Sequence, residues 1–464
     1  MPSRFCSFLL AISVAGCTLT PSYQRPSIDI PNHWIGHITP AKTSGDNTAQ
    51  GWNSFDNDEL SQLVAQVLAG NNDLQAALQR IAQARAASRI AGADLWPAAD
   101  LSGDTSRTHT DPGDGNKTTS NRYAATASVA YELDLWGRNR TAYASAKARA
   151  EATAFDHEAL ALVVISDTAL AYAGILALDD RIQIADDNLK NAEEVLSIIQ
   201  ARFNEGSAST LELSQQKASL ANARASIASL KQQQESLQHQ LAVLAGKAPQ
   251  GFSLQKQGLQ SIHIPHIALV QPSELLQHRP DIESAEANLI AANIDIGTAR
   301  AAFLPSLQLG LDTSVTANPA TAPASLITSV ASSLTAPLFH GGALRGELSR
   351  SKAKREELVA TYRGTVLNAL KEVEDALSSL SAAENRVNAL KTSADESQTA
   401  YHIARERYMA GAIDFQTLLD TQGTLLQAED SLAQAKLEHI TAIIRLFKAL
   451  GGWNPAEENK TNKV

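Results

Sequence analysis

The sequence predicts a mixed α+β membrane protein with an internal two-fold repeat, in which short barrel strands are joined to long coiled-coil helices. Three observations predict it. Apolar residues recur every seven positions at Ile175, Ile182, Leu189, Leu196 and Phe203, and again at Val366, Val373, Leu380, Val387, Ala394, Tyr401 and Tyr408. A heptad sustained over this length indicates coiled-coil packing. Other stretches alternate apolar and polar residues, as a strand with one apolar face requires. An offset of 205 then carries the first heptad series onto the second, from Ile175 on Leu380 to Phe203 on Tyr408.

Composition agrees. The 464 residues include only 5% aromatics, and long stretches lack both Gly and Pro, a bias that favours long helices. The formal net charge is −10 and no strongly basic patch occurs, which argues against nucleic acid as a partner.

The chain opens MPSRFCSFLLAISVAGC. Arg4 supplies the charged n-region, Phe5 to Val14 a short apolar run, and Ala15 and Gly16 the small residues before Cys17. This pattern is that of a secretory signal and resembles a bacterial lipoprotein signal, with cleavage before Cys17 and acylation of its thiol. Cleavage would remove Cys6, leaving Cys17 without a disulfide partner and the mature chain without a thiolate metal site. No later segment offers about 18 consecutive apolar residues, so a membrane crossing is expected to be a barrel.

After this leader come a helical segment, Asp58 to Leu95, and its counterpart in the second half, Pro272 to Phe303. Each ends near a proline, Pro97 and Pro305, where a helix hands over to a strand. Four strands of about ten residues are expected: Ala98 to Thr108, Tyr123 to Leu135, Ser306 to Thr316 and Leu326 to Leu338. The clearest alternation is Tyr123, Ala125, Ala127, Val129, Tyr131, Leu133 and Leu135 against Thr126, Ser128, Glu132 and Asp134. The strands form two hairpins, with polar loops at His109 to Arg122 and Ala317 to Ser325. Trp96, Tyr123, Tyr131, Trp136, Phe303 and Phe339 fall near strand ends, where an interfacial girdle is expected. The prolines are offset by 208 rather than 205, which places a three-residue difference between Pro97 and Leu133, most simply in a loop. Four strands cannot close a barrel, and an open edge in hydrocarbon leaves backbone groups unsatisfied. Two copies would give eight strands and three would give twelve.

The long helices are expected from Arg140 to Phe203 and from Arg345 to Tyr408, each about 100 Å in length. Return helices follow at Leu211 to Ala245 and Phe415 to Leu450, after reversals at Gly206 and Gly411. The chain therefore divides into a leader at 1–16, an anchored segment at 17–57, a first repeat at 58–254, a linker at 255–271, a second repeat at 272–452 and a tail at 453–464.

Four stretches also carry a family resemblance: GCTLTPSYQRP at 16–26, YELDLWGRNR at 131–140, RPDIESAEANLIAANIDIGTARAAFLPSLQL at 279–309 and LTAPLFHGGALRGEL at 334–348. The chain resembles the TolC-like outer-membrane factors of tripartite efflux pumps, in particular the lipoproteins that serve resistance-nodulation-division pumps. The resemblance covers essentially the whole mature chain. It implies a homotrimer with a twelve-stranded outer-membrane barrel and a periplasmic barrel of twelve helices. It also implies a periplasmic adaptor and an inner-membrane pump as partners, multidrug resistance as a physiological output, and no cofactor beyond the lipid on Cys17. Thr18 after the acylated cysteine is compatible with delivery to the outer membrane.

The resemblance puts adaptor contacts and the aperture at the tips, RFNEGSASTLELS at 202–214 and RYMAGAIDFQTLLD at 407–420. Arg202 and Arg407 precede the reversals at Gly206 and Gly411, where a cation favours a helix C-terminus. They are candidates for bonds across neighbouring helices or to the adaptor. Glu212 and Asp420 stand where related channels carry acids facing the aperture, and Thr417 stands where an acid is common. A ring of acids would favour cations, whereas each acid alone could simply serve a helix N-terminus. Tyr408 and Phe415 are candidates for an apolar constriction. Nothing points to an enzyme: phosphate-loop, nucleophile-elbow and zinc signatures are absent, and His263 and His266 lack an adjacent Glu. The reading is a passive exit duct for small molecules, gated by splaying of the tips. Its rivals are the exit channel of a type I protein-secretion system and a lipid-anchored coiled-coil scaffold with no pore.

Overall fold

In a computed structural model, residues 19–35, 55–264, 269, 271–318 and 322–452 are described. The expected leader, Cys17, His266 and the tail lie outside them. The elements run α1 (Asp58–Gly70), α2 (Asn72–Ala93), β1 (Ala98–Thr110), β2 (Thr118–Leu133), α3 (Arg138–Asn204) and α4 (Thr210–Leu244). The second half continues with α5 (Pro280–Ala301), β3 (Ser306–Asn318), β4 (Ala322–Thr335), α6 (Ala343–Met409) and α7 (Phe415–Ala449).

The duplication is closer in structure than in sequence. Helices α3 and α6 both have 67 residues and start at 138 and 343, an offset of 205. Helices α4 and α7 both have 35 residues and start at 210 and 415, the same offset. Helices α2 and α5 both have 22 residues but start at 72 and 280, an offset of 208. Hairpin register locates the change. Ala98 pairs with Ala130 and Ser306 with Thr335, so the offset is 208 on the first strand of each hairpin and 205 on the second. The three-residue difference therefore falls in the hairpin loops.

Several expected boundaries are corrected. The segment Asp58 to Leu95 is two helices, broken at Asn71, whose side-chain oxygen accepts from the backbone N–H groups of Asp73 and Leu74. Residues before Pro280 form a short 3-10 turn, Glu274–Gln277, rather than the start of an α-helix, as suits a proline at the first helical position. The strands reach into the expected loops, leaving only residues 111–117 between β1 and β2. Tyr123 consequently lies inside β2 rather than at a strand end. Trp136 donates from its indole N–H to the Pro305 carbonyl at 2.7 Å, which fastens a helix–strand junction.

All four strands join one antiparallel sheet in the order β1-β2-β3-β4, because the two hairpins pair through β2 and β3. The register aligns the apolar positions. Val129 lies opposite Leu311, Leu311 opposite Val330, Leu133 opposite Leu307 and Leu307 opposite Leu334. Ser128, Asp312 and Ser329 run across the other face. A one-residue slip would exchange the faces, so this agreement across two pairings gives the sheet one apolar face. Leu101, Leu309, Leu311, Leu326, Val330 and Leu334 are all exposed in the single chain.

The described chain forms two compact units. The first holds the sheet, α5 and the N-terminal arm. The arm is tied to α5: Arg300 and Asn293 donate to the carbonyls of Leu19 and Pro21, and Tyr23 and Arg25 donate to Glu286. Burial and the Glu286 charge both push the Tyr23 phenol above its ordinary pKa. The second unit holds the tips, α1, α4 and α7. Here the heptad residues are core: Val366, Val373, Leu380, Tyr401 and Tyr408 are buried. By length and composition α3 contains a stretch apolar enough to cross a membrane, but more than half of it is buried within the protein, as in a core helix.

Candidate functional site

The two tips are built by the same local rules. Helix α3 ends at Asn204, and Gly206 takes a left-handed φ of 78°. The N–H of Gly206 donates to Phe203 at 3.0 Å and that of Ser207 to Arg202 at 2.8 Å, the bond pair of a Schellman turn. In the second repeat Gly411 has φ 71°, and its N–H and that of Ala412 donate to Tyr408 and Arg407 at 3.0 and 2.8 Å. Gly is needed at both positions because a Cβ is strained in this conformation.

The return helices start on different caps. Ser209 and Glu212 form a capping box: the Ser209 hydroxyl accepts from the Glu212 N–H at 3.2 Å, and the Glu212 carboxylate accepts from the Ser209 N–H at 2.7 Å. Asp414 caps the second, accepting from the Thr417 N–H at 2.8 Å. The bonds from Thr417 hold the Asp414 carboxyl below its ordinary pKa.

The candidate residues thus separate. Glu212 is engaged by its own helix start. Asp420 is exposed and accepts from the Gln416 amide at 2.8 Å, and Thr417 is exposed one turn before it. Tyr408 and Phe415 are only 5% and 2% exposed, with ring centroids 6.0 Å apart. They pack with Val195, Ile199, Leu213, Tyr401 and Leu418 in the core of the tip. This corrects the expectation of an apolar constriction, because both rings are spent within the chain. Burial also raises the Tyr408 pKa, against the opposing charge of Arg202.

Arg202 and Arg407 occupy the same place on their helices but differ in use. The Arg202 guanidinium donates to the carbonyls of Tyr408 and Met409 at 3.4 and 3.1 Å and lies 4.8 Å over the Tyr408 ring. It thereby binds the end of α6, whose dipole favours a cation. Arg407 is exposed. Further links join the two helical hairpins, among them Arg405 with Glu194 at 2.8 Å, Gln215 with Gln416 at 3.5 Å and Gln422 with Asn188 at 3.0 Å. Sequence reasoning missed these links and the Asp414 cap, although Asp414 immediately before an apolar run is a readable helix start.

Among the described residues no group of three or more His, Cys, Asp or Glu could hold a metal ion. The sequence profile of the family described as outer membrane efflux protein matches residues 63–247 and 271–452, one match for each repeat. The chain belongs to the outer membrane efflux protein family. Relatives of this outer-membrane efflux channel subunit agree along their whole length. The pyoverdine export outer membrane protein OpmQ of Pseudomonas aeruginosa is 34% identical, covering 100% of both chains. The toluene efflux pump outer membrane protein TtgC of Pseudomonas putida is 30% identical over 95% of this chain and 94% of its own. Among solved structures, the outer-membrane channel OprN superposes with a TM-score of 0.84 at 31% identity, covering 94% of this chain and 99% of that one. The Campylobacter jejuni CmeC channel gives 0.85 at 26% identity, over 96% and 97%.

Proposed function

We propose that the chain is the outer-membrane exit duct of a tripartite pump, working as a homotrimer with a periplasmic adaptor and an inner-membrane transporter. The observation that carries this reading is the four-stranded sheet with one apolar face and two unpaired edges, β1 and β4. Because an even number of strands alternates in direction, β4 of one copy meets β1 of the next antiparallel, and three copies give a closed barrel of twelve strands. Closure removes the edges that hydrocarbon would penalise.

In this reading residues 1–16 are removed, Cys17 carries the lipid, 17–57 form the anchored segment, and 58–254 and 272–452 are the two repeats around a linker at 255–271, with a tail at 453–464. The tips, with Arg202, Gly206, Arg407 and Gly411, form the adaptor-facing end. Asp420 and Thr417 line the aperture, and Asp420 supplies its acidic ring. The cargo is a small molecule. Relatives named for pyoverdine, toluene and cation export share this architecture, which fits a duct whose selectivity comes from its pump. Transport here is passive, since energy enters at the inner membrane. The direct test is the mass of the purified mature protein in native detergent: three chain masses support the reading and one chain mass refutes it.

A further inference from the structure

The repeat assigns Arg407 an acceptor that a single chain does not hold. An offset of 205 carries Arg202 on Arg407, Phe203 on Tyr408 and Asn204 on Met409, and both arginines sit at the same position of the same Schellman turn. Arg202 spends its guanidinium on the carbonyls of Tyr408 and Met409 and on the Tyr408 ring. Arg407 is exposed, and its guanidinium has no acceptor among the described residues. We propose that Arg407 is the latch between subunits, donating to the backbone carbonyls of the partner subunit's Phe203 and the partner subunit's Asn204. This rests on the ring of copies proposed above.

The same offset says what else holds that seam. Within one chain the polar links near the tip include Arg202 on the end of α6, the Arg405–Glu194 ion pair and the Gln215–Gln416 amide pair. Carried to the seam between copies, Arg405 and Glu194 become Gln200 and Thr399, and Gln215 and Gln416 become Asp420 and Leu211. The ion pair and the amide pair are both lost. Of these three, Arg407 is the link the repeat preserves, and it faces Phe203, a weaker cation–π partner than tyrosine. The subunit seam is thus the weaker of the two, and opening of the tip begins there.

Cysteine pairs separate the two seams. In the Asn204→Cys, Arg407→Cys variant, oxidation is expected to join chains into a covalent ladder on a non-reducing gel. The Arg202→Cys, Met409→Cys variant is expected to stay at monomer mass, because its bond closes within one chain. The unmodified protein, treated identically, controls for Cys17. An oligomeric native mass with no ladder from the first pair overturns the latch and leaves the ring standing. A monomeric native mass overturns the ring and the latch with it. As an independent readout, Arg407→Ala is expected to raise the open fraction in single-channel recordings about tenfold, the loss expected of one charge-assisted hydrogen bond. An open fraction unchanged from that of the unmodified protein overturns the latch.

Discussion

Asn71 and Arg279 stand at the same joint of the two repeats with different chemistry. The Asn71 amide donates to the Leu244 carbonyl at 2.9 Å, and the Arg279 guanidinium donates to the Ala449 carbonyl at 3.0 Å, each closing the end of a return helix against the start of an earlier helix of the same repeat, α2 or α5. Arg279 is buried and also bonds Asp281 and Glu372 at 2.7 and 2.8 Å. Burial opposes its charge, but the two carboxylates outweigh this and hold its pKa above the ordinary value. Removing it leaves a helix end and two partly exposed carboxylates without their partner, and a void where the buried side chain stood. Arg279→Ala is expected to cost about 3 kcal/mol, and Asn71→Ala about 1–2 kcal/mol, both read by denaturant unfolding. Equal losses would contradict this account of the joint. A second residue gives a pH dependence. Partial burial, and then the charge of Asp187, raise the pKa of Glu429. The folded state then binds the proton more tightly than the unfolded state, so the cost of Glu429 is absent in acid. It grows as pH rises through the ordinary glutamate range and is complete above the folded value. Glu429→Gln is therefore expected to raise the melting temperature at neutral pH, with the gap closing on acidification. A gap independent of pH would count against it.

At the scale of elements, the Schellman turns decide how each long helix reverses. Gly206→Ala or Gly411→Ala places a side chain in the left-handed region and is expected to cost about 1–2 kcal/mol, seen as a lower melting temperature and increased proteolysis at the tips. A tip that stays resistant would show that the reversal does not depend on glycine. These turns were readable because the heptads run up to Phe203 and Tyr408 and a glycine follows three residues later in each repeat; the observed helix ends lie within two residues of those expected. Other elements were hidden for physical reasons. At Asn71 the cap on Asp73 and Leu74 is local, but the bond that closes the joint runs to Leu244, 173 residues away, and no local pattern reports that bond. Strand β1 is nearly polar throughout, so its length came only from its register with β2. Glu212 lies in a Ser-x-x-Glu box that the sequence does display, but its position at the tip suggested an aperture role first.

For the whole molecule, the membrane claim rests on a face rather than on a segment. Val330 is 84% exposed in the single chain and lies in the apolar row opposite Leu311, while Ser329 beside it points to the polar face. Val330→Lys is expected to cost about 2–4 kcal/mol of insertion energy and to reduce the amount recovered in outer membranes. Ser329→Lys is expected to be tolerated. Equal recovery of the two variants would deny the sheet its lipid side. The trimer, the barrel and the gate all require that the copies enclose a continuous path for ions. That path is tested most directly by the current through a planar bilayer after adding the purified mature protein. The account predicts discrete conductance steps, with a higher open fraction in Arg407→Ala than in the unmodified protein. A folded, membrane-inserted protein that passes no current, even with its tips loosened by Arg202→Ala and Arg407→Ala together, would contradict it.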